Sequence, residues 1–277
     1  MRTIAWPSLA ALALLPFFLG ALSPALAQAK AQSVSGGEVR CSQPLTIAFV
    51  DLEVSPFLHG SGDHFENPPG FFVLWAKAEA KRLQCEVQWL RLPPARLLTS
   101  MQAGAVDMAI GQAPTPDREK AWIYPRTPSG ELDRRYAVLE SNQVLYARAD
   151  RAASLGWDGK GFGTNKHRIG APRGSKQMTL AQRMGWTTVP TMGTAQGLRM
   201  LRAERFEALL APDVLVPPEL LKELPALVAL QPPLQQTQYY APVSPAFWKR
   251  DPELVQSFWR GLCRASRAQS PALPACP

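Results

Sequence analysis

Residues 103–122, AGAVDMAIGQAPTPDREKAW, decide the fold. Gly104 closes a helix that PPARLLTSMQAG (93–104) opens on proline. VDMAI (106–110) then reads as a buried strand, and a polar turn follows with Arg118 behind it. Upstream, PLTIAFV (44–50) and EVQWL (86–90) read as two more strands. FFVLWAKAEAKRL (71–83) lies between them with apolar residues at Phe71, Leu74, Trp75 and Ala78, the spacing of one helix face. Lys77, Lys81 and Arg82 crowd its second half, as the helix dipole favours. Strand–helix–strand–helix–strand implies a parallel sheet covered by helices. In such sheets ligands bind beyond the carboxyl ends of the strands, which is where the turn before Arg118 falls.

A second alternation begins at NQVLYARA (142–149). It continues through the glycine-rich loop GWDGKGFGTNK (156–166), the strand RIGAP (168–172) and a helix in GSKQMTLAQRMG (174–185). The strand TTVPT, the helix TAQGLRMLRAE and the strand FEALLAPD (206–213) complete the unit. The tail returns to a strand, TQYYAPV (237–243), and a last helix, PELVQSFWRGLCRAS (252–266). The fold class expected is therefore α/β in two lobes. The chain crosses between them near Glu140–Ser141 and again near residues 230–235. Residues 41–140 and 235–277 would form the first lobe and 141–234 the second, joined by two connections that permit hinge closure.

The remaining composition narrows the function. The chain has 277 residues, and 46% of them are hydrophobic, enough for a real core. After Arg2 no charge occurs before Lys30, and LAALALLPFFLGAL followed by PALAQA reads as a signal peptide, 1–27, cleaved after Ala27. No later segment is long and apolar enough to span a bilayer, so a soluble exported protein is expected. Cys41, Cys85, Cys263 and Cys276 are even in number, and export favours disulfides. Of the three possible pairings we expect Cys41–Cys85 and Cys263–Cys276, whose loops give about 4 and about 3 kcal/mol in the chain-entropy model. Their spacing does not suit zinc, and no metal or cofactor is expected. The net charge is +8, but the positive residues are scattered and not interleaved with aromatics, so nucleic acid is not an expected partner. GKGFG (159–163) lacks the glycine spacing and following helix of a nucleotide loop.

Four pieces resemble the periplasmic solute-binding protein family 3, the type II binding-protein fold of polar amino acid importers: AGAVDMAIG, TPDRE (115–119), RIGAPRGSKQ (168–177) and ERFEALLAPD (204–213). The resemblance covers roughly residues 41–265, and their order and spacing are more specific for the fold than for the ligand. It implies a periplasmic monomer that closes on a small anionic or zwitterionic solute and delivers it to a membrane permease complex.

The residues themselves suit that role to different degrees. Arg118 presents a planar fork that grips a carboxylate with two hydrogen bonds. Thr115 caps or orients its turn. Ser175 and Lys176 stand at a helix start where free amides suit an anion, and Ser175 is equally an N-cap. Asp213 matches the position that meets a ligand ammonium in the family, or caps a helix from Val214 onward. Phe57 stands where the family often places an aromatic lid, with core packing the alternative. Arg96 lies one turn into the second helix, facing the cleft or solvent. Trp122 and Tyr124 read as core, and His59, Asp63, His64 and Glu66 as a solvated rim. Just before T-x-x-R, Gln112, Ala113 and Pro114 replace the hydroxyl-bearing residues that hold an ammonium in the family, which favours an organic acid over an ordinary amino acid. Two rival functions share the fold. One is a periplasmic dehydratase of prephenate-like acids, with Glu53, Glu66 or His64 as general acid. The other is an accessory protein of a periplasmic dehydrogenase.

Overall fold

A proline just inside the start of a helix and a glycine just past its end punctuate the first lobe, and they set where each strand emerges. The computed structural model describes residues 39–216 and 218–277; the expected signal peptide lies outside them. β1 (Leu45–Val50), β2 (Val87–Leu92) and β3 (Met108–Ala109) form a parallel sheet in the order β2-β1-β3, with Ile47 beside both Trp89 and Met108. α1 (Phe71–Arg82) and α2 (Pro94–Gln102) make the crossovers, and α3 (Pro116–Ala121) follows β3. β3 is two residues, not the five expected. At its start Asp107 N donates to Thr46 O at 2.8 Å, while Thr46 N donates to the Asp107 carboxylate at 2.8 Å instead of to a backbone carbonyl, and the Arg250 guanidinium donates to the same carboxylate at 2.8 Å.

The buried face of α1 differs from the expected one. Phe72, Val73, Trp75, Ala76, Glu79 and Ala80 are buried, while Leu74 is 45% exposed and Ala78 faces solvent. The sequence carries apolar residues on both faces, and tertiary packing chooses between them. The buried Glu79 is bonded to Arg82 and lies beside Gly261, whose missing side chain leaves room for the carboxylate.

The second sheet holds β4 (Leu139–Arg148), β5 (Arg168–Pro172), β6 (Thr187–Thr191), β7 (Ala208–Pro212) and β8 (Leu227–Ala229) in the order β6-β5-β7-β4-β8. α4 (Lys176–Arg183), α5 (Thr194–Arg202) and α6 (Pro218–Glu223) connect them. β9 (Gln235–Tyr239) pairs antiparallel with the start of β4, Leu139 facing Tyr239 and Gln143 facing Gln235. The strand expected over 237–243 is thus split. Residues 235–239 pair with β4, whereas Tyr240 and Val243 form isolated bridges to Gln112, Met108 and Ile123 in the first lobe. The chain changes sheets in the middle of that segment. α7 (Pro245–Arg250) and α8 (Pro252–Ser266) then cover the first sheet.

Each sheet has its own core. Ile47, Phe49, Phe72, Phe258 and Leu262 pack together in the first lobe. Val144, Tyr146, Phe206 and Leu209 do so on one face of the second sheet, with Ile169 and Leu210 on the other. The disulfides are Cys41–Cys85 and Cys263–Cys276, as expected. The first ties the lead-in of β1 to that of β2, and the second ties α8 to the C-terminal tail.

Candidate functional site

The carboxyl ends of strands from both sheets converge on one cavity of about 100 Å³. The first lobe contributes Leu52, Glu53 and Val54 after β1, Gly111, Gln112 and Ala113 after β3, and Arg118. The second contributes Arg173 to Gln177 after β5, Gly193 and Thr194 after β6, and Pro212 at the end of β7. Tyr239 from β9 completes the wall.

Two glycines make the approach possible. Gly111 turns the chain at φ 75° with the Phe72 ring packed where a side chain would stand. Gly174 has φ 67°, and a Cβ there would meet Pro94 Cβ of the opposite lobe at 2.6 Å. The two lobes therefore meet where the Gly174 backbone lies against the Pro94 ring.

Arg118 is held from both sides of the closure. Thr115 caps α3 by accepting from Arg118 N, which fixes the first turn. The side chain folds back so that Nη1 donates to Ala113 O at 2.8 Å, while Nη2 donates across the cleft to Gly174 O at 3.3 Å. Its guanidinium lies 5.3 Å over the Trp122 ring. The residue is only 9% exposed, and burial pulls its pKa below the usual arginine range. Among the described residues no carboxylate pairs with it. A buried cation held only by neutral carbonyls is under-compensated, and an anion would supply what is missing.

Lys176 also crosses the cleft, donating from Nζ to Pro114 O at 3.0 Å. Its pKa is lowered first by burial and then by the nearby Arg183, with Glu119 opposing. Ser175 Oγ accepts from Met178 N and so caps α4, while remaining in the cavity wall. Arg173 is exposed at the rim. The wall thus carries Arg118, Arg173 and Lys176 against a single acid, Glu53, whose Oε2 already accepts from Gly60 N at 2.9 Å.

Four expected site residues are placed elsewhere. Phe57 is 4% exposed and packs against Phe71, Phe72 and Trp75, so it belongs to the core and is no lid. Arg96 sits on the solvent face of α2, away from the cavity wall. Thr115 takes the capping role expected of it, on α3, and lies outside that wall. Asp213 is bonded to β4: Oδ1 accepts from Ser141 Oγ at 2.8 Å and from Asn142 N at 3.2 Å, and Oδ2 from Asn142 Nδ2 at 2.8 Å. It faces a separate cavity behind the β4–β9 ladder. The carboxylate that would meet an ammonium is therefore turned away from the cleft.

Other contributors escaped the sequence reading. Gln177 Nε2 donates to Gln143 Oε1 at 2.6 Å and to the Tyr239 hydroxyl at 3.1 Å; Gln143 Nε2 also donates to that hydroxyl at 3.3 Å. The Tyr239 oxygen accepts twice, which leaves its own proton for an acceptor in the cavity. Arg91 is buried and donates to the carbonyls of Leu52, His59, Gly60 and Gly62, pinning the loop that carries Glu53 and Val54 over the cleft. Asp63 and His64 are solvent-exposed, and no metal-binding cluster occurs among the described residues.

Residues 48–269 match the model of the bacterial extracellular solute-binding proteins, family 3. The arginine-binding extracellular protein ArtP of Bacillus subtilis is 24% identical over 58% of this chain and 58% of its own length. The chain thus spans little more than half of that relative. Among solved structures, the amino acid ABC transporter substrate-binding protein AbpA of Streptococcus pneumoniae, bound to L-arginine, superposes with a TM-score of 0.59 at 18% identity, covering 82% of this chain and 90% of that one. The ancestral amino acid-binding protein AncCDT-1, a precursor of cyclohexadienyl dehydratase, also gives 0.59 at 16% identity, over 82% and 91%.

Proposed function

The chain belongs to the bacterial extracellular solute-binding proteins, family 3, and from that premise we propose that it captures a small carboxylate-bearing solute and presents it to an ABC-type permease complex. In this reading residues 41–140 with 235–277 form one lobe and 141–234 the other. The β4–β9 ladder is the hinge, and the protein works as a periplasmic monomer after removal of residues 1–27.

The observation that carries the reading is Arg118. Its guanidinium is buried and bonded to one carbonyl in each lobe, with no carboxylate paired to it among the described residues. A carboxylate in the cavity would exchange neutral partners for a bidentate ion pair and tie the lobes through the same side chain. Tyr239 and Lys176 supply further donors on the wall. The arginine ligands of the relatives do not transfer to this wall, which holds three cations and one engaged acid.

Catalysis is less well supported. A dehydratase needs a general acid at the reacting atom. Glu53 is the one carboxylate on the wall among the described residues, and it is exposed and already bonded.

The test is to purify the protein natively, denature it and identify the released solute by mass spectrometry. Calorimetry with that solute should then show Arg118→Ala losing about 2–5 kcal/mol of binding free energy. Unchanged affinity would remove Arg118 from the site. Aromatic product on incubation with prephenate or arogenate would replace capture by catalysis.

A further inference from the structure

α5 begins in the cleft without the usual side-chain cap. Its N-cap is Gly193, at φ 133°, and the backbone N–H groups of Thr194, Ala195 and Gln196 have no partner among the described residues. The Gln196 side chain turns back to accept from Met192 N and does not cover the helix end. The Thr194 hydroxyl adds an independent observation. Thr194 is 5% exposed, and its Oγ1 is a buried side-chain polar atom without a hydrogen-bond partner. Gly193 and Thr194 both belong to the wall that holds Arg118, Lys176 and Tyr239. Buried hydroxyls are almost always paired, so an orphan in a cavity wall marks a missing partner. A nine-residue helix start with free amides favours an anion as that partner.

The cavity wall thus carries two acceptor-seeking groups, the Arg118 fork in the first lobe and the start of α5 in the second. Among the described residues that wall sets one acid, the exposed Glu53, against three cations, while Asp213 lies outside it, bonded to Ser141 and Asn142. The cavity volume of about 100 Å³ compares with roughly 10–15 Å³ of such space per water, which suits a solute of few heavy atoms. We infer that the solute is a dicarboxylate of three to five carbons without an α-ammonium, one carboxylate on Arg118 and the other on the α5 amides and the Thr194 hydroxyl. This assignment rests on the proposed capture of a carboxylate-bearing solute and names its class.

Calorimetry and thermal-shift measurements on the full mature chain would compare malonate, succinate and glutarate with propionate, butyrate, valerate and L-arginine. At least one dicarboxylate should bind about tenfold or more tighter than the monocarboxylate of equal length. Thr194→Val should weaken it about tenfold, the loss of one charge-assisted hydrogen bond. It should leave the monocarboxylate unchanged, and Thr194→Ser should restore the lost affinity. Melting curves of the two variants check folding.

Dicarboxylates that bind no better than their matched monocarboxylates, or a Thr194→Val protein with full dicarboxylate affinity, would overturn this subsite. Capture of a solute through Arg118 would survive either result. Tight L-arginine binding would overturn the subsite and the carboxylate-only wall together. No binding by any of these solutes, with no small molecule released from native protein, would overturn both the subsite and the capture reading.

Discussion

Gly174→Ala separates local strain from lobe closure. The backbone at Gly174 is left-handed, φ 67°, where an alanine costs about 1–2 kcal/mol in any state that keeps the loop. For a domain of this size each kcal/mol moves the melting temperature by about 2–4 °C, so the variant should melt about 2–8 °C lower. The second effect exists only when the lobes meet. The new Cβ would stand 2.6 Å from Pro94 Cβ and 3.2 Å from Pro94 Cγ, well inside contact distance. Overpacking of that kind costs about 1–3 kcal/mol, a factor of roughly 5–150 in the closure equilibrium. Small-angle scattering should show a larger radius of gyration than the closed structure gives. Pro94→Gly removes both clashing carbons, so in the Gly174→Ala background it should restore the closed scattering curve without restoring the melting temperature. The melting cost of Pro94→Gly alone is measured separately and subtracted. A Gly174→Ala protein whose scattering curve matches the wild type would refute the argument that these two walls meet on closure.

Three further outcomes rest on the same contacts. Replacing Cys41 and Cys85 by serine should destabilise more than replacing Cys263 and Cys276, about 4 against about 3 kcal/mol, because the loops span 44 and 13 residues; chemical denaturation checks the order. Asp133, Glu140 and Glu207 are held below the usual carboxylate range, chiefly by hydrogen bonds from Arg135, Arg134 and Arg168 respectively. Their folded values lie below the unfolded ones, so their stabilisation is present above about pH 4 and is lost as the pH falls through the folded values. A melting temperature flat from pH 6 to pH 2 would contradict that assignment. Lys176 is pulled below the usual lysine range by burial and Arg183, so it loses its proton earlier than a free lysine as pH rises. Affinity for a carboxylate should therefore fall on the alkaline side in the wild type, and calorimetry should find that fall shallower in Lys176→Met.

Local pattern was enough for much of this molecule. Pro94 and Gly104 bracket α2, Pro252 to Ser266 is a helix end to end, and the parallel order of the first three strands comes from the helical crossovers α1 and α2. An even cysteine count behind an expected signal peptide favoured disulfides, and of the three pairings the expected one forms. The position of Arg118 behind a turn at the carboxyl end of a strand was visible because caps and strand ends are written within a few residues. The choice of buried face on α1 was not visible, since apolar residues occur on both sides and the selection rests on packing against distant residues such as Phe258 and Leu262, with Gly261, 182 positions beyond Glu79, leaving room for its carboxylate. Asp213 has the right neighbours for a ligand contact, yet Ser141 and Asn142, 72 and 71 residues away, take its oxygens. Gln177, Tyr239 and Thr194 carry no local signature: a glutamine, a tyrosine and a threonine become wall residues only when β9 returns to β4 and the lobes meet. Propensity, capping and periodicity act over one or two turns of chain. The satisfaction of buried polar groups is a property of the packed whole, and it selects which matching residues face the cleft.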